Sequence, residues 1–274
     1  MSVMAFAIMR NLRLYVSETL ETSGNHIMNM NPMCSLLHYA VASNNHLPPS
    51  RNGSGSRLDM LAILLKAGAD TKAVRDDLTP WGLMFCNYSS SSPDIIFQRT
   101  QYFLELGGQN PNETTAINGK NSSRCNAIHI TSRRFDVDLT QLLVESGAAV
   151  NPLSQMMESP LDGLVDSFVS PFDQTAAGLR DIRSRSSFKD SYHPIIRDFG
   201  AERAYKTALH LLIHGGRCTN KSLLHIRVRV DSELNWTGAL KYFIKCMKHA
   251  GYDTTIIHRE LLRLEEEEKI YMIP

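Results

Sequence analysis

The segment AILLKAGADTKA, residues 62–73, has the pattern of a helix that ends at a glycine. Leu61, Leu64 and Leu65 recur at the spacing that places side chains on one face of a helix. Gly68 can adopt the left-handed conformation that ends a helix, because it has no Cβ atom to clash. The alanines on either side of this glycine are small, so another stretch of backbone can lie close to the turn.

The same design recurs along the chain. In QLLVESGAAVNP, residues 141–152, three leucines at positions 139, 142 and 143 form the apolar face and Gly147 provides the stop. Weaker copies of the pattern lie at residues 16–25, 101–112, 209–220 and 243–254. A chain that ends several helices in the same way is predicted to consist of repeats.

A second motif, which predicts the start of a helix, follows each of the two clearest stops. LTPWGL (78–83) and SPLDGL (159–164) place a hydroxyl N-cap before a proline at the first helical position. SLLH (35–38 and 222–225) and NAIH (126–129) keep a cap residue with a histidine three positions later. Each unit is therefore predicted to be a cap, a short helix, a turn, a longer helix, a glycine stop and a polar loop.

These motifs resemble the ankyrin repeat family, which pairs a Thr-Pro-Leu-His helix start with a Leu-Leu-x-x-Gly-Ala-Asp helix end at a period of about 33 residues. The spacing from His129 to Asp162 matches that period, and residues 125–152 match best. Gly82 and Asp162 depart from the pattern, since both replace its histidine. Insertions account for the longer spacings, and they lie at residues 46–56, 87–93, 114–123 and 166–200.

The resemblance implies an all-α fold: an ankyrin-type helix-turn-helix solenoid of about five degenerate repeats with loop insertions and a C-terminal capping helix. We expect a single domain over residues 1–274. Its predicted parts are an N-terminal helix or partial repeat (1–30), repeats at 31–73, 74–112, 124–152, 153–220 and 221–255, a long insert at 166–200, and a cap at 256–274. The cap is expected to bury a face of Leu261, Leu262 and Leu264.

Composition excludes several classes of function. The chain has 274 residues, is 43% hydrophobic and carries a formal net charge of +1, so it has no general attraction for nucleic acid or an acidic membrane. Its five cysteines are scattered, which is typical of reduced thiols in the cytoplasm or nucleus. No stretch reaches the roughly 18 to 20 apolar residues of a membrane span. The apolar start, MSVMAFAIMR, is expected to be a helix rather than a signal peptide.

Two Cys-x3-His pairs, Cys34 with His38 and Cys125 with His129, raise the question of a metal site. Zinc needs four converging ligands, and pairs two repeats apart should lie about 20 Å from each other. We therefore expect each histidine to brace its own helix start. The chain also lacks a nucleophile elbow, a phosphate-binding loop and a His-Glu-x-x-His motif. No catalytic residue, metal or cofactor is expected, and the chain is predicted not to be an enzyme.

The Arg/Ser-rich segment at residues 179–189 has two interpretations, both left open. It is typical of a disordered surface loop. It is also compatible with a docking segment for an acidic partner that phosphorylation would control, because a phosphate among arginines changes the local charge sharply. Nucleic acid is not expected as its ligand, since aromatic residues are not interleaved with the basic ones.

The resemblance implies that another protein binds through the concave face formed by the first helices and through the finger loops that connect successive repeats. Positions carried over from the pattern are Ala42, Ser43, Val74, Asp76, Asp77, Arg133 and Arg134. Each could instead be an ordinary exposed residue. We expect reversal of both arginine charges to weaken partner binding without unfolding the chain.

Two functions remain open at this point. One is a free-standing interaction module or adaptor, and the other is the recognition tail of a larger multidomain protein of sensor or ligase-adaptor type. An exposed apolar edge on the first helix would favour the second. In both cases the expected partner is another protein, and neither a membrane, nucleic acid nor a small-molecule substrate is expected.

Overall fold

A computed structural model describes residues 3–10, 12–23, 36–42, 55–86, 88, 93–116, 124–169, 200–219 and 239–271. Within these ranges the chain is mainly helical. The helices are α1 (Val3–Met9), α2 (Arg13–Ser23), α3 (Leu36–Ala42), α4 (Gly55–Lys66), α5 (Pro80–Cys86), α6 (Pro93–Glu105), α7 (Ala127–Arg133), α8 (Val137–Glu145), α9 (Pro160–Val169), α10 (Ala201–Ile213), α11 (Ala239–His249) and α12 (Thr255–Tyr271). Strands β1 (Thr114–Ala116) and β2 (Arg124–Asn126) pair in a small two-stranded sheet.

Several sequence-based expectations fall on residues outside these ranges. They concern Cys34, Ser43, the helix start at 222–225, the Arg/Ser-rich segment and most of the insert at 166–200. Helix α9 runs to Val169, so the first four residues assigned to the insert belong to that helix.

The chain divides into two compact units, Met1–Cys125 and Asn126–Pro274. In each unit a short helix is followed by a longer one, as the motifs predict. In the first unit α3 packs against α4 and α5, and α4 packs against α6. In the second unit α7 packs against α8 and α9, and α10 packs against both of them. The division of each unit into numbered repeats, and the treatment of the chain as one domain, stay predictions.

The glycine stops have the conformation that the sequence predicts. Gly68, Gly147, Gly215 and Gly251 have φ angles of 80°, 89°, 85° and 85°. At each, the amide of the next residue donates to a carbonyl five positions back, at 2.7 to 3.0 Å. The acceptors are Leu64, Leu143, Leu211 and Met247, and the side chain of each is fully buried. Together these features define a Schellman motif, in which the glycine satisfies the last carbonyls while a core residue anchors the helix end.

The helix end near residue 107 differs from the other four. Gly108, not Gly107, takes the left-handed conformation, with φ of 57°, and Gln109 donates to the carbonyl of Phe103 at 3.1 Å. A Cβ atom on Gly107 would lie 2.8 Å from that same carbonyl oxygen. The two consecutive glycines therefore have different roles. Gly108 permits the left-handed turn, and Gly107 allows the backbone to approach the carbonyl of Phe103 closely.

Two of the predicted helix starts are also confirmed. Helices α5 and α9 begin at Pro80 and Pro160, as expected for proline at the first helical position. The Thr79 hydroxyl accepts the amide of Gly82 at 3.1 Å, and the Ser159 hydroxyl accepts the amide of Asp162 at 3.1 Å. These N-caps satisfy backbone donors that have no partner inside the helix.

Two buried histidines connect a short helix to the next finger loop. The Nε2 atom of His38 lies 3.0 Å from the carbonyl oxygen of Leu78, and the Nε2 atom of His129 lies 3.0 Å from that of Glu158. In both cases the loop lies in the repeat that the sequence predicts next, 74–112 for Leu78 and 153–220 for Glu158. Each carbonyl also accepts an amide of its own loop, from Arg75 and from Ser154, and the imidazole is a second donor that fixes the position of the loop relative to the short helix.

Asp162, which replaces the histidine in α9, holds the loop that follows α10 with the opposite polarity. Its carboxylate accepts the amide of Thr219 at 2.9 Å and the amide of Ser159 at 2.8 Å. The side chain is completely buried. Here the next loop presents an N–H group rather than a carbonyl, and a carboxylate, which can only accept, is the matching side chain.

Gly82, the other departure from the histidine pattern, has no side chain to make the connection. A Cβ atom built on Gly82 would lie 2.2 Å from the hydroxyl oxygen of Thr115 on β1. The threonine side chain therefore occupies the space from the other direction. Its hydroxyl is buried, and no hydrogen-bond partner for it lies within the described ranges.

The C-terminal helix α12 acts as a cap, with one correction to its predicted face. Leu261 and Leu264 are buried, but Leu262 is 48% exposed. Successive residues of a helix differ by about 100° in direction, and Leu262 therefore leaves the face that its neighbours bury. Buried Glu260 accepts the amide of Cys218 at 2.7 Å, and Arg263 donates to the carbonyl of Cys218 at 3.0 Å.

We expect Gly82→Ala to destabilise the chain by about 1 to 3 kcal/mol, because the added methyl group would overlap the Thr115 hydroxyl. Thr115→Ala alone should change the free energy of unfolding by less than about 1 kcal/mol, since it removes a methyl group and an unpaired hydroxyl together. The double variant should recover part of the loss. Urea unfolding measures all three values, and an unchanged stability of Gly82→Ala would contradict the proposed overlap.

Candidate functional site

The finger loop of the first unit ends in a tight turn at Arg75–Leu78. Arg75 and Leu78 exchange both backbone hydrogen bonds, at 2.8 and 2.9 Å. Asp76 and Asp77 between them have φ angles of 51° and 65°, which is the geometry of a type I′ turn. Val74, just before the turn, is exposed. The structure therefore places Val74, Asp76 and Asp77 together on this turn, and their role in binding stays a prediction.

Helix α3 lies beside this finger. The guanidinium of Arg75 lies over the ring of Tyr39, 5.7 Å from its centroid, and Nε of Arg75 is 3.5 Å from a carboxylate oxygen of Asp76. Ala42 is half-buried at the end of α3, and its predicted neighbour Ser43 lies outside the described residues. The turn presents a mixed, largely polar surface to solvent.

The finger loop of the second unit is closed by its own hydrogen bonds. We call residues 153–158 the methionine loop. The amide of buried Ser154 donates to the carbonyl of Glu158 at 2.9 Å, and the amide of Met157 donates to the carbonyl of Ser154 at 2.9 Å. The Ser154 hydroxyl accepts the amides of Met156 and Glu158, both at 3.2 Å. These hydrogen bonds hold the backbone of the methionine loop in a defined conformation.

The methionine loop exposes apolar side chains. Leu153, Met156 and Met157 are 50%, 53% and 61% exposed. Met157 also has a φ of 59°, a conformation that costs a residue with a Cβ atom about 1 to 2 kcal/mol relative to glycine. Sequence reasoning missed these residues. The available signal was three large apolar residues in a segment where the repeat pattern calls for polar ones.

Arg133 is held in place by the base of this loop. One guanidinium nitrogen of Arg133 forms an ion pair with a carboxylate oxygen of Glu158. The Arg133 side chain also lies across Gly163 of α9, where an added Cβ atom would be 2.8 Å from Nε. The side chains of Arg133 and Glu158 are 33% and 13% exposed. Arg133 therefore has a structural task in addition to the binding role predicted for it.

Arg134 differs from its neighbour. It follows the last residue of α7 and is exposed, and its amide donates to the carbonyl of Ile130 at 3.2 Å. Among the carboxylates that the structure describes, none lies within ion-pair distance of its guanidinium. The structure thus separates the two predicted arginines into one that supports the loop and one that is open to solvent.

His129 connects α7 to the same loop and is held in its neutral form. Its Nδ1 atom accepts the backbone amide of Asn126 at 3.3 Å, so the proton belongs on Nε2, which donates to the carbonyl of Glu158. Burial is the main cause that lowers the pKa of His129 below its ordinary value, and the charge of Arg133 lowers it further. Burial lowers the pKa of His38 in the same way.

The described part of the chain offers little for chemistry. Its histidine, cysteine, aspartate and glutamate side chains form no group of three or more that could hold a metal ion. The thiol of Cys125 is buried in the core beside α7. None of the helices in the described ranges combines the length and the apolar character that a membrane crossing requires.

The histidine connections predict that acid weakens the fold. Because the folded-state pKa values of His38 and His129 are lowered, the unfolded chain takes up protons first as the pH falls below about 6.5. The free energy of unfolding should therefore decrease between pH 7.5 and pH 5. His129→Gln should be less stable at neutral pH but should lose less on acidification. Urea titrations at both pH values test this, and equal losses in the variant and the parent chain would refute it.

Charge reversal should separate the two arginines. Arg133→Glu places a second carboxylate beside Glu158 and should lower the free energy of unfolding by about 1 to 3 kcal/mol, between the values typical of exposed and buried pairs. Arg134→Glu should change it by less than about 0.5 kcal/mol. Denaturant unfolding of the two single variants measures this difference. Equal stabilities would show that the contact with Glu158 contributes nothing.

Comparison with known proteins agrees with this architecture. No family model matches the chain, and no curated protein matches it in sequence. The solved ankyrin repeat domain of Bcl-3, a member of the IkappaB protein family, is similar over 93% of this chain and 88% of its own, with a TM-score of 0.50 and 15% identity. The human ASB11 ankyrin repeat domain is similar over 93% of this chain and 86% of its own, with a TM-score of 0.47 and 13% identity. The chain has the all-α ankyrin-repeat fold that its motifs predicted.

Proposed function

We propose that this chain is a non-catalytic interaction module, or adaptor, that binds another protein through its short helices and finger loops. The observation that carries this proposal is the methionine loop. It holds three large apolar side chains half in solvent on a backbone that its own hydrogen bonds close. Exposed apolar groups on an ordered loop are typical of a surface that a protein partner covers.

The absence of a chemical site within the described residues supports a binding role over a catalytic one. Polar side chains that are buried there, such as His129 and Asp162, already hold the next finger loop. Their hydrogen-bonding capacity serves the fold, so neither is poised to act on a substrate. We place the module in the cytoplasm or nucleus, and its partner is a protein rather than nucleic acid or a small molecule.

The proposed contact residues follow from exposure and position. Val74, Asp76 and Asp77 would contribute from the turn of the first unit, and Arg134 and the methionine loop from the second. Arg133 supports the methionine loop through its ion pair with Glu158, and the exposed third of its side chain would contact the partner. Ala42 and Ser43, at the end of α3 in the sequence, are proposed as partner contacts from the sequence pattern alone.

Affinity capture of the tagged chain from a lysate of its own source tests the proposal. We expect a specific partner on the unaltered chain, and at least about tenfold less of it on Arg134→Glu and on Met157→Gly. Both variants should keep their stability, since one charge is exposed and glycine accepts a positive φ without strain. The partner is identified by mass spectrometry. Equal capture by the folded variants would exclude this surface, and catalytic turnover of a captured substrate would contradict the adaptor role.

A second candidate function is the recognition part of a larger multidomain protein. The observation that favours it is the outer side of α1 and α2, where Val3, Phe6 and Leu14 are exposed. The opposite side of α1 is buried against α3, so this helix has apolar residues on both sides. An antibody against the chain distinguishes the two functions, because a native polypeptide well above 30.8 kDa would support the larger protein.

A further inference from the structure

We propose that the methionine loop and Arg134 together recognise an extended segment of a partner protein in which a large apolar side chain lies within about four residues of an aspartate or glutamate. This inference rests on the proposed function and adds the chemistry of the partner. It combines an apolar contact surface, a cation open to solvent and the distance between them. Each of the three is argued from a separate set of contacts.

The apolar part of the surface is ready to bind before a partner arrives. Ser154 is buried and holds the loop by four hydrogen bonds, two through its backbone and two through its hydroxyl. Little backbone order has to be gained when a partner binds, which removes a usual cost of association. Methionine side chains remain adaptable on this fixed backbone, so they can fit aliphatic or aromatic groups of different shape.

Met157 occupies a backbone position that would suit glycine better. Its φ of 59° lies in the left-handed region, which a bulky unbranched side chain enters only at a steric cost. Its side chain gains little within the fold in return, because it is 61% exposed. A side chain that is costly to place and mostly in solvent is best explained by a contact outside the chain.

The charged part of the surface favours a carboxylate. The charge of Arg133 is already paired with Glu158, whereas Arg134 is exposed and has no ion-pair partner among the described carboxylates. A guanidinium binds a carboxylate with two parallel hydrogen bonds, which gives direction as well as attraction. Phosphate would satisfy Arg134 too, but it carries up to two charges, and the neighbouring cation, Arg133, is already paired with Glu158.

The spacing comes from helix α7. The hydrogen bond from His129 to the carbonyl of Glu158 places the methionine loop beside the first turn of that helix. Arg134 follows its last residue. From His129 to Arg134 there are five residues, which span about 7.5 Å along the helix axis, and an extended chain rises about 3.3 Å per residue. A partner segment that touches both the methionine loop and Arg134 therefore has its apolar residue and its acid within about four positions of each other.

Selection of a phage-displayed library of random linear peptides, about twelve residues long, on the complete chain tests the proposal. We expect the enriched peptides to share one large apolar residue and one Asp or Glu at this spacing. A fluorescent synthetic copy of the best peptide then gives affinities by anisotropy. Replacement of its apolar residue by serine, or of its acid by asparagine, should each weaken binding about tenfold or more.

Variants of the protein complete the experiment. Met157→Gly should bind the peptide about tenfold more weakly while its unfolding midpoint is unchanged or higher, so loss of folding cannot explain the result. Arg134→Glu should also weaken binding, and a peptide with lysine in place of its acid should bind this variant better than it binds the unaltered chain. Arg259→Glu, a charge reversal at an exposed position of the capping helix α12, is the matched control and should leave peptide affinity unchanged.

The outcomes separate this inference from the proposed function. Enriched peptides that lack the spacing, or that bind Met157→Gly and Arg134→Glu as tightly as the parent chain, overturn the inference and leave an interaction module that uses another surface. No enrichment of any linear peptide also overturns it. Capture of a protein partner from lysate then decides the proposed function independently. Tighter binding of a phosphorylated peptide than of its acidic counterpart would replace the carboxylate with phosphate.

Discussion

The fold depends on one recurring polar contact, in which a buried side chain of a short helix holds a loop that follows later in the chain. The loop backbone packed there has limited access to water, and each hydrogen bond made to it contributes about 0.5 to 1.5 kcal/mol. His38 and His129 meet a carbonyl at this position, whereas Asp162 meets an amide. The side chain matches the backbone group opposite, and this is why the residue type changes while the position does not.

The local parts of the architecture could be predicted from sequence because their causes lie within a few residues. Gly68 and Gly147 end helices through their own φ angles, and Pro80 and Pro160 begin helices through theirs. The resemblance added the fold, and the helices and their pairing confirmed it. Leu262 was assigned to the wrong face because three leucines in four positions cannot all point to one side of a helix.

The site was less predictable, because it depends on contacts between residues far apart in the chain. Nothing near Arg133 in the sequence indicates that it meets Glu158, or that a glycine at 163 makes room for it. Likewise, Thr115 fills the place left at Gly82 from 33 residues away. The sequence of the methionine loop does carry a local signal, namely its large apolar residues. Only the hydrogen bonds of Ser154 show that these side chains project from an ordered backbone.

The connections between successive repeats are not equal, and this shapes how the chain opens. At Gly82 the buried hydrogen bond is missing, and within the described residues Trp81 Nε1, Gln109 Oε1 and Thr115 Oγ1 around it are buried without partners. In a stack held by nearest-neighbour coupling, cooperativity is limited by its weakest junction. Within the described residues, we therefore expect amide hydrogens of α5 and β1 to exchange through local opening at a lower free energy than those of the helices that His129 and Asp162 join to a loop.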